Sequence, residues 1–166
     1  MILKEHMMKG KIISVNISND KGEKKHNIGK CRLIKDMGLE NDAHAGFMHR
    51  QVSLLATESI EKMRKMGLDV HSGDFAENLT TEGMDLISLP VGTLLKAGNG
   101  VILRISQIGK ECHSRCAIFQ QVGDCVMPKE GVFAEVLTEG EVRVGDEIGS
   151  GYPLAGVTVH GKDKRG

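Results

Sequence analysis

The sequence contains no tryptophan and a single tyrosine among its 166 residues. Proteins that hold single-stranded nucleic acid stack bases on aromatic side chains, so this scarcity speaks against that class. Charge of one sign is also missing, because 22 Lys and Arg are matched by 22 Asp and Glu. No net field points to nucleic acid or to an anionic membrane, and any anion site has to be a local cluster. No apolar run approaches the roughly 18 residues that span a bilayer. The opening MILKEHMMKG is too short and too charged for a secretory signal. Proline is scarce at three against 21 glycines, a balance that suits tight turns between strands. There is no G-x-S-x-G elbow, H-E-x-x-H pair or Walker A loop, so three common hydrolytic and nucleotide sites are excluded.

What is present reads as one domain with a proper core, of mainly β class. Lys11 to Ser18 alternates, with Ile13, Val15 and Ile17 expected inward. Lys30 to Ile34 is a shorter strand holding an isolated, structural Cys31. Val52 to Leu55 reads as a buried strand, and Leu86 to Leu89 and Thr93 to Ala97 as strands about Pro90-Val91-Gly92. Val101 to Ile108 alternates most clearly, with Val101, Leu103 and Ile105 on one face. Val132 to Leu137 and Glu141 to Val144 follow. The longest helix is expected over Thr57 to Met66, with Thr57 as N-cap, Ile60 and Met63 inward, and Gly67 closing it. Asp74 and Glu77 have capping-box spacing for a second, short helix, a role that explains both carboxylates without chemistry. Many short strands with glycine turns and few helices indicate a curved, largely antiparallel barrel. We read residues 1–9 as an extension, 10–160 as the domain and 161–166 as a disordered tail.

The chemistry concentrates in GKECHSRCAIF, residues 109 to 119, directly after the Val101 to Ile108 strand. Three of the four cysteines, Cys112, Cys116 and Cys125, crowd this region. That spacing suits a site better than a disulfide framework and implies a reducing cytoplasm. A thiol acts as nucleophile, sulfur carrier or soft-metal ligand only as thiolate, which nearby cations favour. Lys110, His113 and Arg115 supply such cations around Cys112. Cys116, followed by Ala117, Ile118 and Phe119, has the neighbours of a core thiol. The three thiols with His113 could also serve zinc or an iron–sulfur cluster, although no second ligand pair accompanies them. Earlier in the chain, Asp42, His44, His49 and Arg50 gather in one irregular stretch. A His and an Arg close together can bind phosphate.

Three segments in this order resemble the MOSC domain family, named after the C-terminal domain of molybdenum cofactor sulfurase. GLENDAHAGFMHRQVSLL from Gly38 resembles a G-D-x-H-A-G loop followed by R-Q-V-S-L-L. SGDFAENLTTEGMDL from Ser72 resembles G-x-F-x-E-N-(L/I)-x-x-x-G-(I/L)-x-L. GKEC, residues 109 to 112, stands where the family carries its reactive cysteine. The resemblance implies a pyruvate-kinase-insert-like barrel and a role with the molybdenum cofactor (molybdopterin). Cys112 would then carry sulfur or ligate molybdenum, with Cys116 as a second thiol. Asp42, His44, Arg50, Glu77, Asn78, Lys110 and Arg115 would surround the cofactor or a precursor, Glu77 and Asn78 near the barrel mouth. Some members deliver sulfur, others reduce N-hydroxylated compounds, and a non-catalytic handover module is the alternative. These residues include no pyridoxal-phosphate desulfurase segment, so a separate sulfur donor or reductase would be the protein partner. Two departures stand out: Asn41 where the family loop usually has glycine, and the extra thiol of C-H-S-R-C.

Overall fold

Apolar alternation along the chain builds strands that curl until the last closes on the first. A computed structural model describes residues 8–20, 23–43, 45–46, 48–109 and 127–150. Its strands are β1 (Lys9–Ile17), β2 (His26–Asn27), β3 (Lys30–Ile34), β4 (Gly38–Leu39), β5 (Val52–Ala56) and β6 (Leu79–Glu82). They continue as β7 (Leu94–Ala97), β8 (Val101–Ile108), β9 (Val132–Thr138), β10 (Gly140–Arg143) and β11 (Glu147–Gly149). Among the described residues the helices are α1 (Thr57–Lys65), a 3₁₀ turn (Leu86–Ser88) and the single-turn α2 (Met127–Glu130).

Seven strands run β11-β7-β8-β9-β5-β6-β1 around a closed barrel, and β1 returns to β11 through Lys9↔Gly149 and Lys11↔Glu147. Closure removes the open edges that would otherwise invite aggregation. The pairs are antiparallel except β5 with β6, and a parallel pair needs a crossover, which α1 supplies. β10, β3 and β4 form a second small sheet whose Leu33, Leu39 and Val142 join the barrel core. Leu54, Leu79, Leu95, Leu103, Ile105 and Val136 are wholly buried inside that core. Their alternating neighbours Leu55 and Phe133 face the other way and pack with Ile60 and Met63 of α1, and with Leu68, Val70 and Phe75. The strand expectations over Lys30 to Ile34, Val52 to Leu55, Val101 to Ile108 and Val132 to Leu137 agree with this structure, as does burial of Ile60 and Met63. Cys31 is buried in β3, and burial pushes its thiol up.

Four local expectations are corrected. In β1 the inward residues are Ile12 and Val15 rather than Ile13, because the register slips between Ile12 and Ser14. A bulge adds one residue and resets the two-residue alternation. Thr57 is the first helical residue, not the cap. Ala56 holds the cap position while still paired to Thr81 in the sheet, so the chain passes from strand to helix without a side-chain cap. Asp74 and Glu77 do not open a helix. Left-handed Gly73 (φ 90°) and Ala76 (φ 64°) break helical geometry there, and Asp74 instead accepts from His71 N–H at 2.8 Å. Leu86 to Leu89 is a 3₁₀ turn rather than a strand, with Leu86 and Leu89 buried three positions apart. The tail at 161–166 and a helix expected after Ser114 lie outside the described residues.

Candidate functional site

A row of residues crosses the barrel wall at the start of β5. Asn16 N–H donates to the O of Asn78, the residue just before β6, Asn78 N–H donates to Ser53 O on β5, Ser53 is opposite Phe133 on β9, and Phe133 is opposite Gln107 on β8. Laterally paired residues point to the same face of a sheet. Because Phe133 packs on the outer, α1 side, the row lies on the outside of the barrel.

Its polar half is buried. Asn78, 1% exposed, donates through Nδ2 to Asn16 O and to Asp42 Oδ2, at 3.1 and 3.2 Å. Its Oδ1 accepts from the backbone and the hydroxyl of Ser53. A side-chain amide has two donors and two acceptor positions, so this one is fully used inside the protein. Asp42 Oδ1 meets Lys25 Nζ at 2.7 Å and accepts from Ser18 N–H at 3.1 Å. The Lys25 and Asp42 side chains are 1% and 0% exposed. Burial alone would raise the Asp42 carboxyl, but the Lys25 ammonium, Ser18 N–H and the Asn78 amide together hold it below the usual carboxylate range.

Glu77 lies next to this cluster, 0% exposed. Its Oε2 accepts from Gly73 N–H at 2.8 Å and from the Thr80 hydroxyl at 2.6 Å, and its Oε1 is buried without a hydrogen-bond partner among the described residues. Gly73 is itself pressed against Lys25: a Cβ there would come within 2.2 Å of Lys25 O. Burial raises the Glu77 carboxyl above 4.5, and the Gly73 and Thr80 donors draw it only part of the way back. The folded state therefore holds this proton longer than the unfolded chain does. Its contribution to stability is complete below pH 4.5 and is lost as pH rises through the folded value. Glu77→Gln cannot ionise and is expected to flatten this fall. Urea unfolding between about pH 5 and 8 measures the slope, and a slope equal to the parent's would mean that Glu77 is already ionised in the fold.

At the row's other end Phe133 is buried, Gln107 is half-buried and His49 is exposed. His49 Nε2 lies 2.6 Å from Gln107 Oε1, and the Ser106 hydroxyl donates to His49 O. The Arg50 guanidinium sits 5.6 Å over the Phe133 ring. Gln107 Nε2 donates to Gly109 O at 2.7 Å, and Gly109 N–H donates to Gly131 O at 2.7 Å. The 45–50 loop is thus held against the end of β8, where the cysteine segment departs. Lys110, Cys112, His113, Arg115, Cys116, Cys125 and His44 lie outside the described residues. Of the other expected site residues, Asp42, Glu77 and Asn78 share one buried cluster, while Arg50 is beside the β8–β9 end. Glu77 and Asn78 are both buried. Lys25, Asn16 and Gln107 were not singled out by sequence reasoning. Lys25 follows Lys24 in sequence, and its buried contacts with Asp42 and Ser18 are what mark it.

The loop, the E-N segment and the end of β8 now stand together in three dimensions. The profile of the MOSC domain matches residues 41–149. The chain belongs to the MOSC domain family. YuaD from Bacillus subtilis superposes with a TM-score of 0.73 at 21% identity, over 89% of this chain and 98% of that one. YiiM from Geobacillus stearothermophilus gives 0.63 at 20% identity, over 85% and 74%. YiiM from Escherichia coli gives 0.60 at 17%, over 86% and 69%. These likenesses establish the barrel. No curated protein matches the chain. MOSC domains are associated with the molybdenum cofactor, and membership points to a role in that area. Asn41, in place of the usual MOSC glycine, takes φ 67°. Asn is among the few side chains that adopt this left-handed region readily, so the loop keeps a glycine-like turn. No described helix is long and apolar enough to cross a membrane.

Proposed function

We propose that this MOSC domain works in the cytoplasm, where it binds the molybdenum cofactor or a precursor beside Cys112, and that Cys112 carries sulfur or ligates the metal. The observation that supports this most is the pinning of His49 to Gln107, with Arg50 above Phe133. It brings two nitrogen-rich side chains to the end of β8. Cys112 follows Gly109 by three residues, no more than about 11 Å of chain. A phosphate-bearing pterin fits this donor set: Arg50 offers a planar, bidentate donor, and His49 an imidazole. Lys110, Arg115 and His44 are the further residues we assign to it. Asp42, Glu77 and Asn78 suit a different part. Asp42 and Asn78 bond each other, Glu77 bonds Gly73 and Thr80, and we assign all three to supporting the loop that carries His49 and Arg50. When bound, the cofactor supplies a redox-active molybdenum centre that accepts soft sulfur ligands.

As a sulfur carrier, the Cys112 thiolate attacks the terminal sulfur of a donor persulfide. A new S–S bond forms at Cys112, the donor's S–S bond breaks, and the donor leaves as thiolate; no net oxidation occurs. Elemental analysis of protein purified without added metal tests the reading. Molybdenum supports it, whereas stoichiometric zinc or iron would replace it with a cysteine-bound metal site. Arg50→Ala is expected to weaken cofactor binding at least about tenfold, the worth of one charged hydrogen bond. It should cost no more than about 2 kcal/mol of stability, the upper range of a single cation–π contact. Titration calorimetry and urea unfolding check the two halves. A large stability loss with unchanged affinity would make Arg50 structural.

A further inference from the structure

The side-chain amide of Gln107 is used at both ends, and this decides the state of His49. Its Nε2 donates to Gly109 O at 2.7 Å, and its Oε1 lies 2.6 Å from His49 Nε2. A backbone carbonyl only accepts, so the amide nitrogen has to face Gly109. Turning the amide over would set two oxygens against each other. Oε1 is then left to face His49, and because it too only accepts, His49 Nε2 must carry the hydrogen. A neutral imidazole holds a single N–H, so its Nδ1 keeps a bare lone pair. The ring cannot exchange tautomers without losing the bond to Gln107. The Ser106 hydroxyl, bonded to His49 O, fixes the backbone beneath the ring. Arg50, the next residue, lies over Phe133, and Phe133 is the cross-strand partner of Gln107. His49 and Arg50 are thereby anchored on one pair of residues.

We propose that Gln107 is a positioning residue for His49: it commits the imidazole to the Nε2–H form, so that Nδ1 receives a proton from a phosphate group held beside Arg50. The choice of a phosphate-bearing ligand rests on the cofactor reading above. The proton moves from the remaining O–H of a singly charged phosphate ester to Nδ1. The products are a doubly charged phosphate and an imidazolium, which still donates from Nε2 to Gln107. Protonation therefore adds charge next to Arg50 without breaking any contact of the loop.

The test uses the full chain, labelled with ¹⁵N, and inorganic pyrophosphate as probe. Long-range ¹H–¹⁵N spectra of the free protein should show His49 as the Nε2–H tautomer. Gln107→Leu should give a mixture of tautomers. Pyrophosphate should convert His49 Nδ1 from unprotonated to protonated, and Gln107→Leu should weaken its binding about tenfold. An Nδ1–H form or a mixture in the parent protein overturns the proposal. So does a pyrophosphate response at Arg50 Nε with His49 Nδ1 unmoved. Silence of both residues towards pyrophosphate would instead overturn the phosphate site itself, and the proposal with it.

Discussion

Replacing Asp42 by alanine is expected to lower stability by about 3–5 kcal/mol, the cost of leaving a buried charge without its partner. The Lys25 side chain is 1% exposed, and its Nζ meets Asp42 Oδ1 at 2.7 Å. In the variant that ammonium would lose its carboxylate, and Ser18 N–H and one Asn78 donor would lose an acceptor. Urea unfolding measures the loss, and a change below about 1 kcal/mol, typical of a surface pair, would show that the pair is solvated. The pH dependence carries an independent sign. Asp42 titrates below its ordinary 3.8 in the fold, so its stabilisation is present above that value and disappears as pH falls through the folded one. The alanine variant should lack this acid-side loss, while the opposite, alkaline-side loss from Glu77 remains. Replacing both partners by apolar residues of similar volume, Lys25→Met with Asp42→Leu, should recover most of the stability.

Cys112→Ser is expected to abolish persulfide loading and any cofactor-dependent turnover, the largest functional effect foreseen for a single substitution. Lys110, His113 and Arg115 surround Cys112 in sequence, and each favours thiolate over thiol. At neutral pH its alkylation should be at least about tenfold faster than that of a buried thiol. Cys31 is the internal control, because burial pushes its thiol up. Single-cysteine variants alkylated across a pH series give the comparison. Cys112 reacting at the rate of Cys31 would remove the basis of the sulfur-carrier reading. Cys116→Ser should spare loading but alter turnover or sensitivity to oxidation, as expected of a thiol that attacks the persulfide sulfur.

Several features of this protein follow from local sequence alone. The β8 segment alternates, and its Val101, Leu103 and Ile105 are all wholly buried, because the side-chain period of a strand is two wherever pairing is regular. The Ile60–Met63 spacing likewise turned α1 towards the barrel. The motifs of the loop, the E-N segment and the cysteine segment were enough to indicate the family, since they depend on residue identity and order. The bulge that exchanges Ile13 for Ile12 was not legible, because register depends on the partner strand β6. The same is true of the closure of β1 on β11, whose residues are more than a hundred positions apart.

The parts of the site divide in the same way. Sequence marked Asp42, Glu77, Asn78 and Arg50 as chemically able, and tertiary structure decided what each can reach. A carboxylate looks the same in sequence whether it faces a ligand or a lysine. Asp42 meets Lys25 from a loop 17 positions away, and that contact makes it a support for the loop. His49 and Gln107 are 58 positions apart, and neither has a local pattern that names the other. Their pairing arises only because β8 and β9 are adjacent in the barrel and the 45–50 loop descends onto them. Short-range periodicity determined which residues are buried within each element. Long-range pairing alone determined which polar groups share a site, because hydrogen bonds act over about 3 Å and the chain must fold before those atoms come within that distance.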